Sequence, residues 1–184
     1  MKKLYTAMTI AALIVSGSSA IAASTGTILF KGEVKPTTCD ITINGAKSPA
    51  TVILPAVDQT LLDAVGKTAS EADFKIELSS CQGTTTSTSA AAFFDAGSTV
   101  DFNTYRLKNT LTTGQPATNV QLELRDGETG NMIEAGQTSQ STGTTKIALA
   151  NGAAKLPYRV VYYATGAATP GPLESSVNFT INYE

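Results

Sequence analysis

Few side chains in this 184-residue sequence are suited to catalysis, since it contains no histidine. Without histidine the commonest general base is missing, and a Ser-His-Asp triad cannot form. Pairs of acids, such as Asp58 with Asp63 or Glu71 with Asp73, are the remaining candidates, and their chemistry would be cleavage of a glycosidic bond. Acids at turns are usually just solvated, however. We therefore predict that the protein is not an enzyme and uses no cofactor.

Two further groups of residues could bind a ligand. Residues 126–131 (DGETGN) faintly resemble a Ca²⁺ loop, but the alternating acids and closing glutamate of that motif are missing, which favours a hairpin turn. Tyr158, Tyr162 and Tyr163 could form a platform on which a sugar stacks, although tyrosine is also common in strands. With two cysteines and no histidine, the sequence offers too few ligands for most zinc sites.

The first 22 residues predict a secretory signal peptide. Lys2 and Lys3 supply its charged start, residues 7–15 its apolar run, and residues 20–22 (AIA) a small-x-small cleavage pattern, with residues 18–20 (SSA) as the rival site. No later stretch approaches the roughly 20 apolar residues of a membrane helix, which predicts a soluble exported protein. The net charge of −2 and the lack of a basic stripe predict that nucleic acid is not a partner.

Cys39 and Cys81 are the two cysteines of the chain. An even pair in an exported protein indicates a disulfide, and the chain-entropy model gives roughly 4 kcal/mol for a bridge at this spacing. The alternative is two buried free thiols.

Beyond the signal peptide, the sequence predicts strands and turns almost throughout. Short alternating or apolar runs end at turn signals such as Asn44-Gly45, and helical character is confined to one or two turns within residues 58–66. The predicted strands cover residues 39–43, 51–54, 73–78, 90–94, 119–124, 146–149, 158–164 and 177–183. This pattern, without repeats or a linker, predicts one all-β sandwich domain over residues 36–184.

Residues 26–34 (GTILFKGEV) predict one more strand, within a segment of residues 23–35 that precedes the sandwich. Ile28, Phe30 and Val34 share one face of this strand, and the other face is mostly polar. A strand at the start of a mature secreted chain has two possible fates. It can pair within its own domain, or it can complete the sheet of another chain.

Three blocks of the sequence resemble the pilins of chaperone–usher fimbriae, most closely the type 1 major fimbrial subunit. The first is GTILFKGEV at residues 26–34, and the second is a strand of the form F-x-I-x-L-x-x-C that ends at Cys81. The third is YATGAATPG at residues 163–171, followed by an alternating strand with tyrosine in the penultimate position. Together the blocks span essentially the whole mature chain.

The resemblance implies an incomplete immunoglobulin-like β-sandwich that lacks its last strand and is completed by the N-terminal strand of a neighbouring subunit. Gly26, Ile28 and Phe30 would form the core of that donor strand, as two apolar plugs and a glycine that lets the backbone approach closely. The groove that accepts it would be lined by alternate residues of the C-terminal strand, namely Val177, Phe179, Ile181 and Tyr183.

The resemblance also implies a structural role, as a shaft subunit in a head-to-tail homopolymer. Such a contact does not close on itself, so it generates a filament. The implied partners are other pilin subunits, a periplasmic pilus chaperone and an outer-membrane usher. The implied location is a fimbrium on the bacterial surface, reached through the periplasm. Two alternatives stay open: a minor or adaptor pilin, and a secreted monomeric β-sandwich that binds carbohydrate and could dispense with its N-terminal strand.

Overall fold

A computed structural model describes residues 29–31, 38–83 and 89–184 of the chain. The predicted signal peptide (residues 1–22), Gly26 and Ile28 lie outside the described residues. The chain divides into two compact units, Met1–Val34 and Lys35–Glu184. In the first unit, residues 29–31 are exposed and carry no strand. Within the described ranges, none of the helices is long and apolar enough to cross a membrane.

The described part of the second unit is built almost entirely from short strands. Its helices are a single 3₁₀ turn at Gln59–Leu62 and a single α-helical turn, α1, at Gln140–Gly143. The strands are β1 (Thr38–Ile43), β2 (Ala46–Lys47), β3 (Thr68–Gln82), β4 (Ser89–Phe94), β5 (Leu107–Lys108), β6 (Val120–Asp126), β7 (Met132–Ile133), β8 (Ile147–Ala148), β9 (Ala154–Ala164) and β10 (Phe179–Tyr183). The prediction of an all-β fold is confirmed.

The strands form two antiparallel sheets. The larger sheet has the order β2-β1-β3-β9-β6-β5, with β7 also paired to β6, and the smaller sheet has the order β10-β4-β8. Alternation explains how the larger sheet packs: Phe74, Ile76 and Leu78 of β3 are buried, while the residues between them face outward. β3 is longer than the predicted strand because a register shift at Ser70, which has a positive φ, lets its pairing with β9 continue to Thr68.

The main hydrophobic core lies between the two sheets. Phe74 of β3, Phe94 of β4 and Tyr158 of β9 meet there, and the rings of Phe94 and Tyr158 pack edge to face with centroids 5.0 Å apart. Burial raises the pKa of Tyr158 to about 12. Its hydroxyl therefore stays protonated at ordinary pH, although the N–H of Ala92 donates to the oxygen at 2.8 Å.

On the side of β4 that faces away from β10, which we call its inner edge, side chains supply hydrogen bonds beyond the end of β8. β8 pairs only with Ser89 and Ala90. Farther along, the hydroxyl oxygen of Tyr158 accepts from the N–H of Ala92. The amide of Gln140 binds both main-chain groups of Phe94, accepting from its N–H at 2.9 Å and donating to its carbonyl at 3.0 Å. This edge of the smaller sheet is thus hydrogen-bonded along β4.

The predicted strand at residues 51–54 is wrong as a sheet element. Residues 50–57 lie in none of the strands, and they make no backbone–backbone hydrogen bond to any described residue. The two-residue strands β2, β5 and β7 were not expected, because pairs that short leave no periodic signal in a sequence.

Candidate functional site

Strand β10 is an edge strand with one side unpaired. Among the described residues it pairs with β4 alone. The N–H groups of Ser89 and Glu184 each donate to the carbonyl of the other, at 3.0 and 2.9 Å. Because hydrogen-bonded and non-hydrogen-bonded pairs alternate along an antiparallel ladder, the main-chain groups of Phe179, Ile181 and Tyr183 point away from β4. They form an open hydrogen-bonding edge.

Alternate side chains along the C-terminal segment form a half-buried row, which begins well before β10. Each residue between them is exposed. We call this set the C-terminal row; its members are Leu173, Ser175, Val177, Phe179, Ile181 and Tyr183. The five apolar members pack against the main core. The structure thus brings the four predicted groove residues together on one face.

The segment of residues 50–54 presents a second half-buried row. Ala50, Val52 and Leu54 pack against the same core, whereas Thr51 and Ile53 are exposed. The sequence signal for this segment was its alternation, which predicted a strand. Alternation alone does not show that the segment would lack a hydrogen-bonded neighbour. Both this segment and β10 therefore combine half-buried apolar side chains with main-chain groups that no described residue pairs with.

Contacts at two points connect the C-terminal row to other segments, and we call the space beside the row the groove. At one end the hydroxyl of Tyr183 donates to Sγ of Cys39, 3.2 Å away. At the other end Leu54 and Leu173 line one cavity of about 350 Å³. From Leu173 to Tyr183 the C-terminal row spans eleven residues, and its ten steps correspond to roughly 33 Å of extended chain. The groove is thus long enough for one additional strand.

A tight turn supports the cavity at the Leu173 end. Gly171 ends the block YATGAATPG, and a Cβ atom at this position would lie 2.6 Å from the backbone nitrogen of Ala117. Real Cβ atoms do not approach a backbone atom so closely, so any larger residue here would push apart the two loops that line the cavity. This steric restriction explains why position 171 is a glycine.

The disulfide predicted from the two cysteines is present. Cys39 at the start of β1 is bonded to Cys81 at the end of β3. The alternative of two free thiols is wrong. Because Tyr183 contacts Cys39, the bridge also lies at the end of the groove.

The tyrosines do not form an exposed platform. Tyr158 is buried in the core. The guanidinium of Arg106 covers the ring of Tyr163 at 3.6 Å from its centroid. Tyr162 is half-buried and lines the cavity at the Leu173 end of the groove.

Three of the four acids considered for catalysis make structural contacts. Asp58 accepts from the N–H and the hydroxyl of Thr60 and so caps the 3₁₀ turn. Asp73 and Glu71 form ion pairs with Arg159 and Arg125. Among the described residues, no cluster of three or more His, Cys, Asp or Glu side chains could hold a metal ion.

Residues 126–131 form the predicted hairpin turn, in which β6 pairs with β7. The buried carboxylate of Asp126 accepts from the N–H groups of Glu128, Thr129 and Thr145, and from the hydroxyl of Thr145. Burial acts to raise the pKa of Asp126, but these hydrogen bonds outweigh it and lower the pKa below its usual value. The carboxylate thus joins the turn to the loop that contains Thr145.

We expect Asp126→Asn to lower the free energy of unfolding at pH 7 by about 2–3 kcal/mol, since charge-assisted hydrogen bonds are lost at a buried site. The pKa of Asp126 is lowered in the folded state, so its stabilisation is present above the unfolded-state pKa and is lost as pH falls through the folded-state pKa. Urea unfolding from pH 7 to pH 2 should therefore show wild type and Asp126→Asn converging in acid. A constant difference across this range would contradict the assignment.

Comparisons with known proteins agree with this architecture. Residues 54–184 match the model of the family described as type-1 fimbrial protein, A. The chain is 41% identical over 165 residues to the major fimbrial subunit SMF-1 of Stenotrophomonas maltophilia, covering 88% of this chain and 94% of that protein. It is 34% identical over 183 residues to the type-1 fimbrial protein A chain of Escherichia coli K12, covering 95% and 94%.

Solved structures show the same fold. The P pilus rod subunit PapA superposes with a TM-score of 0.58 at 20% identity, covering 79% of this chain and 99% of that one. A subunit from the structure of a chaperone–usher pilus also gives a TM-score of 0.58 at 20% identity, covering 91% and 100%. The match to the family model and the identity to its members lead to one conclusion: this chain belongs to the type-1 fimbrial protein family.

Proposed function

We propose that this protein is the major shaft subunit of a chaperone–usher pilus and that it polymerises by donor-strand exchange. The observation that carries the proposal is the open edge of β10. The half-buried side chains of the C-terminal row, which β10 continues, and those of residues 50–54 accompany this edge. An open edge above exposed core is unfavourable in a monomer and is relieved when an extended segment pairs with it. A relative of similar length that is named as a major fimbrial subunit supports the shaft role.

The donor is the N-terminal segment of the next subunit, centred on Gly26, Ile28 and Phe30. Phe30 is 86% exposed and its neighbour Leu29 is 76% exposed. Burial of a large apolar side chain is favourable by about 1.5–3 kcal/mol, so Ile28 and Phe30 would gain most by entering a groove. Repetition of this contact from subunit to subunit gives a head-to-tail fibre.

Before assembly, a periplasmic chaperone fills the groove, and an outer-membrane usher exchanges the chaperone for the next donor. The mature subunit then lies in a fimbrium on the cell surface and supports adhesion. A minor or adaptor pilin would have the same kind of groove. The abundance of the subunit in the fibre distinguishes the two roles, since a shaft subunit is the main component. A carbohydrate-binding module is less well supported, since Tyr158 is buried and Arg106 covers Tyr163.

The test is a gel of surface fibres sheared from cells that express the protein with a matching chaperone and usher. Extraction of an inserted strand requires the groove to open, so donor-strand fibres dissociate very slowly. We expect an unheated SDS sample to show a ladder that collapses to the monomer band after boiling. A monomer band in both lanes, with the protein released into the medium, would rule the proposal out.

A further inference from the structure

Ser175 is the polar member of the C-terminal row. Its Oγ atom is buried and has no hydrogen-bond partner, and within the described ranges no other buried side-chain nitrogen or oxygen lacks one. Its neighbours in the row, Leu173 and Val177, are apolar. A buried hydroxyl without a partner destabilises a protein, so its presence among apolar residues requires an explanation.

The neighbouring residues show where the missing partner must come from. The N–H of Glu174 donates to Asn109 at 3.1 Å, and the carbonyl of Glu174 accepts from Thr110 at 2.8 Å. The carbonyl of Ser176 accepts from the hydroxyl of Thr99 at 2.6 Å. These bonds all lie on the paired side of the segment. By alternation, the main-chain groups of Ser175 face the groove. A strand that paired with these groups would bring its own peptide groups beside the Ser175 hydroxyl and could supply the missing partner.

The N-terminal segment of this chain has a matching pattern. In an extended strand, Gly26 and Gly32 would share a face with Ile28 and Phe30, since they stand two residues before and two residues after that apolar pair. If Ile28 and Phe30 pack over Val177 and Phe179, one glycine falls opposite Ser175 in either strand direction. An antiparallel donor places Gly32 there, and a parallel donor places Gly26 there.

We infer that Ser175 is a specificity-determining residue of the groove, whose hydroxyl bonds to the main chain of the incoming strand where that strand carries glycine. A larger side chain at this point would cover the hydroxyl with apolar atoms and leave it unsatisfied, whereas glycine exposes its peptide groups. The bond favours one register, because a shift by two residues in one direction places Ile28 or Phe30 on the hydroxyl, and a shift in the other direction replaces the glycine with Ser24 or Val34. This inference rests on the proposed donor-strand function.

The test measures binding of a fluorescent peptide with the sequence of residues 23–35 to the monomeric full-length protein. Ser175→Ala is compared with wild type and with the control Ser176→Ala, whose side chain is on the exposed face. We expect Ser175→Ala to bind about fivefold more weakly, as the loss of one buried hydrogen bond implies, and Ser176→Ala to bind like wild type. Without peptide, Ser175→Ala should unfold at a urea concentration no lower than wild type, because the unsatisfied hydroxyl is gone.

Each other outcome has a defined meaning. If Ser175→Ala binds the peptide as tightly as wild type or more tightly, the inference is overturned. It is also overturned if Ser175→Ala is less stable than wild type by the same amount with and without peptide, because that result indicates a purely structural serine. If wild type does not bind the peptide at all, the donor-strand function fails first. Peptides with Gly26→Ala or Gly32→Ala identify the glycine, since its penalty should be non-additive with that of Ser175→Ala. Additivity at both glycines would overturn the pairing.

Discussion

Phe30→Asp should abolish fibre assembly without unfolding the subunit. The exposed ring of Phe30 is the largest apolar plug of the proposed donor strand. Aspartate at this position loses the favourable burial and would have to place a carboxylate in an apolar groove, which costs several kcal/mol. The ladder on an unheated SDS gel should disappear, while the subunit still accumulates in the periplasm with its chaperone. Lys31→Asp, on the polar face of the same strand, is the matched control and should still assemble.

Ile181→Asp provides the complementary change, because it places a charge in the groove that accepts the strand. A Phe30→Asp subunit keeps its groove, and an Ile181→Asp subunit keeps its donor strand. When the two variants are expressed together, we expect SDS-resistant dimers and nothing longer. The Ile181→Asp subunit can donate its strand to the Phe30→Asp subunit, but no further strand can be donated or accepted. Long fibres from either variant alone would show that polymerisation does not use these residues.

Removal of the disulfide should lower the free energy of unfolding by about 4 kcal/mol, the value expected from loop-closure entropy for a bridge of this span. The change is Cys39→Ser together with Cys81→Ser, and urea denaturation of the oxidised wild type and the double variant measures it. The effect should be larger than that of Tyr183→Phe, which removes only the hydroxyl that donates to Cys39 and is expected to cost about 1 kcal/mol. If the double variant lost less than Tyr183→Phe, the bridge would not be a main source of stability.

The long strands were predictable from the sequence because burial on one face imposes a period of two. The alternation of Phe74, Ile76 and Leu78 predicts a strand with these residues inward, and the structure confirms it. The same reasoning placed Phe179, Ile181 and Tyr183 on one face of a C-terminal strand, which is also confirmed. Local pattern and turn chemistry therefore account for most of the fold and for one wall of the groove.

The remaining features depend on pairing between distant parts of the chain, which a local pattern does not encode. Val52 and Leu54 alternate as strand residues do, yet their segment has no partner among the described residues. Only the sheet order shows that β10 is an edge strand. Ser175 gave no sequence signal, since an isolated serine among apolar residues acquires meaning only when its hydroxyl is seen to be buried and unpartnered. Gly26 and Ile28 lie outside the described residues, and their roles stay predictions.

The side chains that complete the inner edge of β4 give the proposed polymer its shape. With Tyr158 bonded to Ala92 and Gln140 bonded to Phe94, a further strand cannot pair with these two residues of β4, which leaves β10 as the long open edge of the smaller sheet. Each subunit then has a valence of two, since it has one donor strand and one groove. Units of valence two form linear, unbranched chains, whereas a second groove on each subunit would permit branching and gelation. Gln140, which is not a member of the C-terminal row, thus helps to keep the proposed polymer linear.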